Sequence, residues 1–162
     1  MTQKLILFAF LFTIASAMYA KKVTLKAGTV VRLESINEVR ASKTHIGEPV
    51  KFKVSQDIKV EGNVVIPIGT IANGTVYEAK RSTCFGTKGR LGIKLNNLTL
   101  PSGDIINFTS SEIYIQGKNR TPVSVVVFCL TCLPFPCGSK AVMPIGYECE
   151  GTIAANTEIE VK

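Results

Sequence analysis

Beyond position 20, no window of eleven or more residues keeps the 3.6-residue period of an amphipathic helix, and proline and glycine interrupt the chain at short intervals. The interruptions fall at Ala27-Gly28, Gly47-Glu48-Pro49, Glu61-Gly62-Asn63, Pro67-Ile68-Gly69, Pro101-Ser102-Gly103-Asp104 and Pro144-Ile145-Gly146. Proline fixes φ and withholds an N–H, and glycine admits positive φ, so such clusters reverse the chain. Between them apolar and polar residues alternate. Val50, Phe52 and Val54 are interleaved with Lys51, Lys53 and Ser55; Leu91, Ile93 and Leu95 take one face of a second run, with Lys94 and Asn96 on the other. A period of two marks a strand with one buried face. Segments 29–36, 63–66, 70–79, 104–108, 112–115 and 158–161 are short and rich in β-branched residues, and read as further strands. Segment 37–44 reads as a loop or a single turn. The expected fold is all-β: a small antiparallel barrel or sandwich of about eight to ten short strands.

One turn design occurs twice. Ile66-Pro67-Ile68-Gly69 is followed by Gly74-Thr75-Val76, and Met143-Pro144-Ile145-Gly146 by Gly151-Thr152-Ile153, with the same spacing. Leu25-Lys26-Ala27-Gly28-Thr29-Val30 is a weaker copy without proline. Pro67, Gly69, Pro144 and Gly146 are therefore structural turn residues. Gly74 and Gly151, inside the returning strands, suit a bulge or a barrel corner.

The N-terminus has another character. A short polar start with Lys4 precedes the apolar run at 5–15, and Ser16-Ala17-Met18-Tyr19-Ala20 is small and mildly polar. This order predicts a signal peptide over residues 1–20, cleaved after Ala17 or Ala20, because the run is shorter than a spanning helix and small side chains fit the peptidase. Residues 21–162 then form a single exported domain, periplasmic or associated with the outer membrane.

The formal charge of +7 is spread over Lys21-Lys22, Lys51/Lys53, Lys80-Arg81, Lys88/Arg90 and Lys118/Arg120. Solvated strand faces account for it. The alternative is a patch of Lys51, Lys53, Lys88 and Arg90 that binds an anionic envelope polymer. Nucleic acid is not an expected partner, since an exported chain without Trp offers no stacking platform.

From Leu25 to Gly117 the order of motifs resembles the C-terminal barrel domain of TrbI-type proteins, the scaffold subunits of conjugative and type IV secretion channels. The matching pieces are Leu25-Lys26-Ala27-Gly28-Thr29, then Val50-Lys51-Phe52-Lys53-Val54-Ser55-Gln56-Asp57-Ile58, then the Ile66–Gly74 turn, then Gly89-Arg90-Leu91, then the turn from Leu98 to Gly103. The resemblance implies a related barrel in a small free-standing exported form. TrbI-type proteins also carry a long N-terminal part with an inner-membrane helix, and here only a signal occupies that place.

Five cysteines stand at Cys84, Cys129, Cys132, Cys137 and Cys149. In an oxidising compartment an even subset pairs and one thiol is left over. The pairing is open: Cys137 with Cys149, and Cys84 with Cys129 or Cys132, are two of the alternatives. Cys129-Leu-Thr-Cys132 has redox spacing, but β-forming residues precede it where a redox pair needs a helix N-terminus. A zinc site drawing on Cys129, Cys132, Cys137 and Cys149 lacks the usual second clustered pair. No cofactor or metal is expected.

Residues 122–136 are uncharged and strongly apolar. They suit either a buried strand with a loop or an excursion in which Val125, Val126, Val127, Phe128, Leu130, Leu133 and Phe135 contact a membrane or a partner. The resemblance favours the excursion, because TrbI-type barrels are interrupted by a membrane-inserting segment in a comparable region. His45, the single histidine, reads as a surface residue. Glu148/Glu150 and Glu158/Glu160 read as solvated strand faces, and Asn-x-Thr sequons occur at Asn73, Asn97, Asn107 and Asn119. With no catalytic constellation, the expected function is non-enzymatic. The chain reads as a structural, assembly or interaction module of the cell envelope, partnered by other envelope proteins, a membrane surface or further copies of itself.

Overall fold

A computed structural model describes residues 21–83, 87–109, 111–118 and 138–161. The described residues form strands and turns without a helix: β1 (Lys21–Leu25), β2 (Val30–Ser35), β3 (Val39–Arg40), β4 (Pro49–Val54), β5 (Ile58–Val60), β6 (Asn63–Ile66), β7 (Ile71–Lys80), β8 (Arg90–Thr99), β9 (Ile105–Thr109), β10 (Glu112–Gln116), β11 (Val142–Met143), β12 (Glu148–Ile153) and β13 (Thr157–Val161). Thirteen strands among the described residues are more than the sequence suggested, because β3, β5 and β11 are two or three residues long and too short to show a period. Segment 37–44 contains β3 and then a turn in which the Lys43 and Thr44 amides both donate to the Arg40 carbonyl.

Six strands close a barrel. The antiparallel order β8-β7-β4-β2-β12-β9 returns to β8 through the β8–β9 pairing. Closure removes the exposed edges that an open sheet of this size would carry. Strand β8 carries the seam: β7 lines the whole of one edge, whereas the other edge pairs with β9 at Asn97–Thr99 and with β10 at Arg90–Lys94. The apolar alternation Leu91, Ile93, Leu95 is displaced at Asn96, where the β7–β8 register slips and Leu98 becomes the next inward residue. A bulge therefore lets one strand keep two apolar runs that are out of phase.

Alternation places Val31, Leu33, Phe52, Val54, Ala72, Val76, Leu91, Ile93, Leu95, Leu98, Ile106 and Ile153 inside the barrel, all nearly inaccessible. Each large aliphatic or aromatic side chain buried in this way contributes roughly 1.5–3 kcal/mol. Strands β4 and β12 begin at one end of the barrel, here called the upper end, and β7 begins at the lower end. At the lower end the β1–β13 pair and the β5–β6 hairpin pack on each other. The β3–β11 pair, residues 81–83 and 87–89, and both flanks of segment 119–137 lie at the upper end.

The two copies of the turn design occupy equivalent places at opposite ends. Gly69 and Gly146 have φ of 84° and 79°, in the left-handed region. The Gly69 amide donates to the Val54 carbonyl and the Gly146 amide to the Ser35 carbonyl, each the last residue of the neighbouring strand. That last residue in turn donates its amide to the residue after the glycine, Val54 to Thr70 and Ser35 to Tyr147. Even the proline carbonyls are treated alike: the Thr70 hydroxyl donates to Pro67 and the Ser35 hydroxyl to Pro144, at 2.6 and 2.7 Å.

Candidate functional site

The upper end of the barrel gathers the chemistry-bearing residues. Here β10 ends and the chain runs through Gly117 and Lys118 into segment 119–137, then returns at Gly138. A compact knot of backbone hydrogen bonds holds the departure and the return together. The Gly117 amide donates to Gly89, the Gly89 amide to Ser139, and the Ser139 amide to Lys118, at 3.0, 3.0 and 3.4 Å. The Gly138 amide donates to the Thr83 carbonyl at 3.3 Å, which brings in the β7–β8 connection. Glycine is required at this knot by close approach: a Cβ on Gly117 would collide with the Ser139 carbonyl, and one on Gly89 would lie 2.8 Å from the Ala141 amide nitrogen. Ala141 is buried, and its carbonyl accepts from the Ala41 amide, so the knot is continuous with the cap made by β3 and β11.

The apolar contact residues Val125, Val126, Val127, Phe128, Leu130, Leu133 and Phe135 lie outside the described residues, as do Cys84, Cys129, Cys132 and Cys137. The described residues fix where their segments start and finish. Thr83, Lys118 and Gly138, which flank them, meet at this knot. Ile46 and Ile145, each at the tip of a turn at the upper end, are about 70 % exposed.

Beside the knot, Tyr77 occupies the β7 bulge opposite Gly92, and its ring lies over that glycine, 2.5 Å from where a Cβ would stand. Tyr114 of β10 pairs with Gly92 from the other side. Burial raises the Tyr77 phenol pKa, and the charge of Glu112 and a hydrogen bond to it push in the same direction.

Cys149 carries no disulfide among the described residues, and the other four disulfide candidates lie outside them. It sits in β12 opposite Leu33 and packs half-buried against the core, in a wall whose neighbouring strands β2 and β9 contain no cysteine. Burial pushes its pKa up to about 12, so it is neither a thiolate nucleophile nor a ready metal ligand at neutral pH. Next to it, Arg32 lies 3.8 Å from Glu150 across the β2–β12 rung, with Gln56 3.5 Å from the guanidinium. Among the described residues no group of three His, Cys, Asp or Glu is arranged to hold a metal ion.

The four cations of the polymer-binding alternative are mostly engaged. Lys53 pairs with Glu34 at 3.2 Å, Arg90 with Glu78 at 3.8 Å, and Lys88 with Gln116. His45 is exposed in the loop before β4, its amide held by Glu48. Asn73, Asn97 and Asn107 form one cross-strand row on β7, β8 and β9, and the Asn73 amide group donates to Asn97 at 3.1 Å.

These features define a small closed antiparallel barrel of six strands. No protein-family model matches the sequence, and no curated protein matches it. Among solved structures it is similar to ComB10 of the Com type IV secretion system of Helicobacter pylori, at 15% identity and a TM-score of 0.43, over 83% of this chain and 88% of that one. So distant a likeness carries no inference about function.

Proposed function

We propose that this is a non-enzymatic, exported β-barrel protein of the cell envelope. In this reading it acts as a structural or assembly module, and the apolar segment at its upper end contacts a membrane surface or another envelope protein. The observation that carries the reading is the hydrogen-bonded knot of Gly89, Gly117, Lys118 and Ser139. It brings together the two flanks of residues 119–137, the span that contains the uncharged, apolar stretch 122–136, on a closed barrel. A rigid barrel with its lower end capped by β1, β13, β5 and β6 is a platform that fixes where such a segment is presented. An apolar segment of this kind on an exported domain marks an interaction site. The signal-like N-terminus and the order of motifs shared with TrbI-type barrels support an envelope setting, periplasmic or at the outer membrane, with self-association as one form of assembly.

The test is envelope fractionation of the full chain beside a Val126→Lys/Phe128→Lys variant. The wild type is expected in a membrane or high-mass fraction, and the variant is expected to move to the soluble fraction with an unchanged circular dichroism spectrum. Recovery of the wild type as a soluble monomer, unaffected by the double substitution, overturns the reading.

A further inference from the structure

We propose that the barrel carries a strand-addition site for an extended peptide of alternating apolar and basic residues, in a notch between β10 and the upper part of β12. The two strands are not paired, and their free edges face one gap. On β12 the odd-numbered residues bond to the β2 side: the Tyr147 carbonyl accepts from the Ser35 amide, the Ile153 carbonyl accepts from Gly28, and the Ile153 amide donates to Thr29. Ladder bonds alternate along an antiparallel strand, so the even-numbered residues point the other way. Along that second edge the pairing runs out. The Ala154 amide donates to the Asn107 carbonyl, and the Thr152 amide reaches only the Ser111 hydroxyl, both at 3.0 Å. Above them Glu150 and Glu148 have no backbone partner on this side among the described residues. On β10 the flanking Ser111 and Gly117 bond to the β8 side, which turns the Glu112, Tyr114 and Gln116 peptide groups towards the notch. Strand β11 packs against β10 and bounds the notch above.

An unpaired strand edge is a template for another strand, and here the side chains select its sequence. Facing inward, Ile115 and Cys149 are only partly buried, whereas Ile113 is buried; they receive apolar side chains at every second position of the peptide. Facing outward, Glu112, Glu148 and Glu150 are exposed along the two edges. Their cross-strand cations stand on the sides away from the notch, Lys94 on β8 opposite Glu112 and Arg32 on β2 opposite Glu150. Lysine or arginine between the apolar residues of the peptide pairs with these carboxylates across the new rungs. The five residues of β10 set the length of the match. This surface is separate from the apolar segment and does not need the membrane or assembly role proposed above.

The test uses the purified full chain and a fluorescein-labelled peptide of sequence Thr-Val-Lys-Val-Lys-Val-Thr, followed by fluorescence anisotropy. Saturable binding is expected. The Glu148→Lys/Glu150→Lys variant, folded by circular dichroism, should bind about tenfold more weakly, because two cross-strand attractions become repulsions. The same peptide N-methylated at alternate residues should not bind, since it cannot donate the ladder bonds. No saturation up to about 1 mM, or equal binding of the N-methylated peptide, overturns the proposal. Amide hydrogen exchange of the free protein is the second measurement. Fast exchange at Glu148 and Glu150 is expected; slow exchange at both overturns the proposal, because another part of this chain or a second copy then already occupies the edge. None of these outcomes bears on fractionation, so the two readings fail independently.

Discussion

Gly151→Ala tests the packing of the barrel wall at one contact. A Cβ at Gly151 would stand 2.7 and 2.8 Å from the Cε1 and Cδ1 atoms of Phe108, and 3.2 Å from a methyl of Leu95. Phe108 is 8 % exposed and belongs to β9, which pairs with β12 beside this position, so its ring has little room to withdraw. Overpacking of this kind costs about 1–3 kcal/mol. In a domain of this size each kcal/mol lowers the melting temperature by about 2–4 °C. Phe108→Leu alone removes ring volume and is expected to cost about 1–2 kcal/mol as a small cavity. Combined, the two changes should compensate, because the new methyl fills part of the space the ring vacates. The expected coupling is favourable by about 1 kcal/mol or more. Urea unfolding followed by circular dichroism gives all four corners of the cycle, provided the slope with denaturant stays constant. Strict additivity, or a Gly151→Ala protein as stable as the wild type, would show that the ring does not lie against β12 and would refute the wall as described.

Two further outcomes follow from other residues. Ser35 is fully buried, donates to the Pro144 carbonyl and accepts from the Tyr147 amide at 3.1 Å; Ser35→Ala should cost about 1–3 kcal/mol in thermal unfolding, and a neutral substitution would contradict its role in the second turn. For Cys149 the folded pKa is raised to about 12 from 9.0, so its contribution is complete below the unfolded value and is lost as pH climbs towards 12. Stability measured against pH should therefore fall less steeply over that interval in Cys149→Ala than in the wild type, and identical slopes would exclude the effect. The same thiol should resist iodoacetamide at pH 8 until the protein is unfolded.

What the sequence determined by itself was local. Alternation at Val50–Val54 and the Pro-Ile-Gly turns established strands, their buried faces and their reversals, because a period of two and a positive φ are properties of the residues concerned. The repeated turn was legible for the same reason. Pairing was not legible, since an alternating strand offers the same apolar face to any neighbour. Only the tertiary structure decided that six strands close, that β8 divides one edge between β9 and β10, and that a bulge at Asn96 joins two apolar runs. The short strands β3, β5 and β11 exist through contacts distant in sequence and left no periodic trace. The same holds for the upper end. The sequence supplied an apolar segment and five cysteines, whereas the fold brought Thr83, Gly89, Gly117 and Gly138 to one place and put Cys149 in the barrel wall. Those residues are far apart along the chain, and closure of a barrel is the long-range event that makes them neighbours.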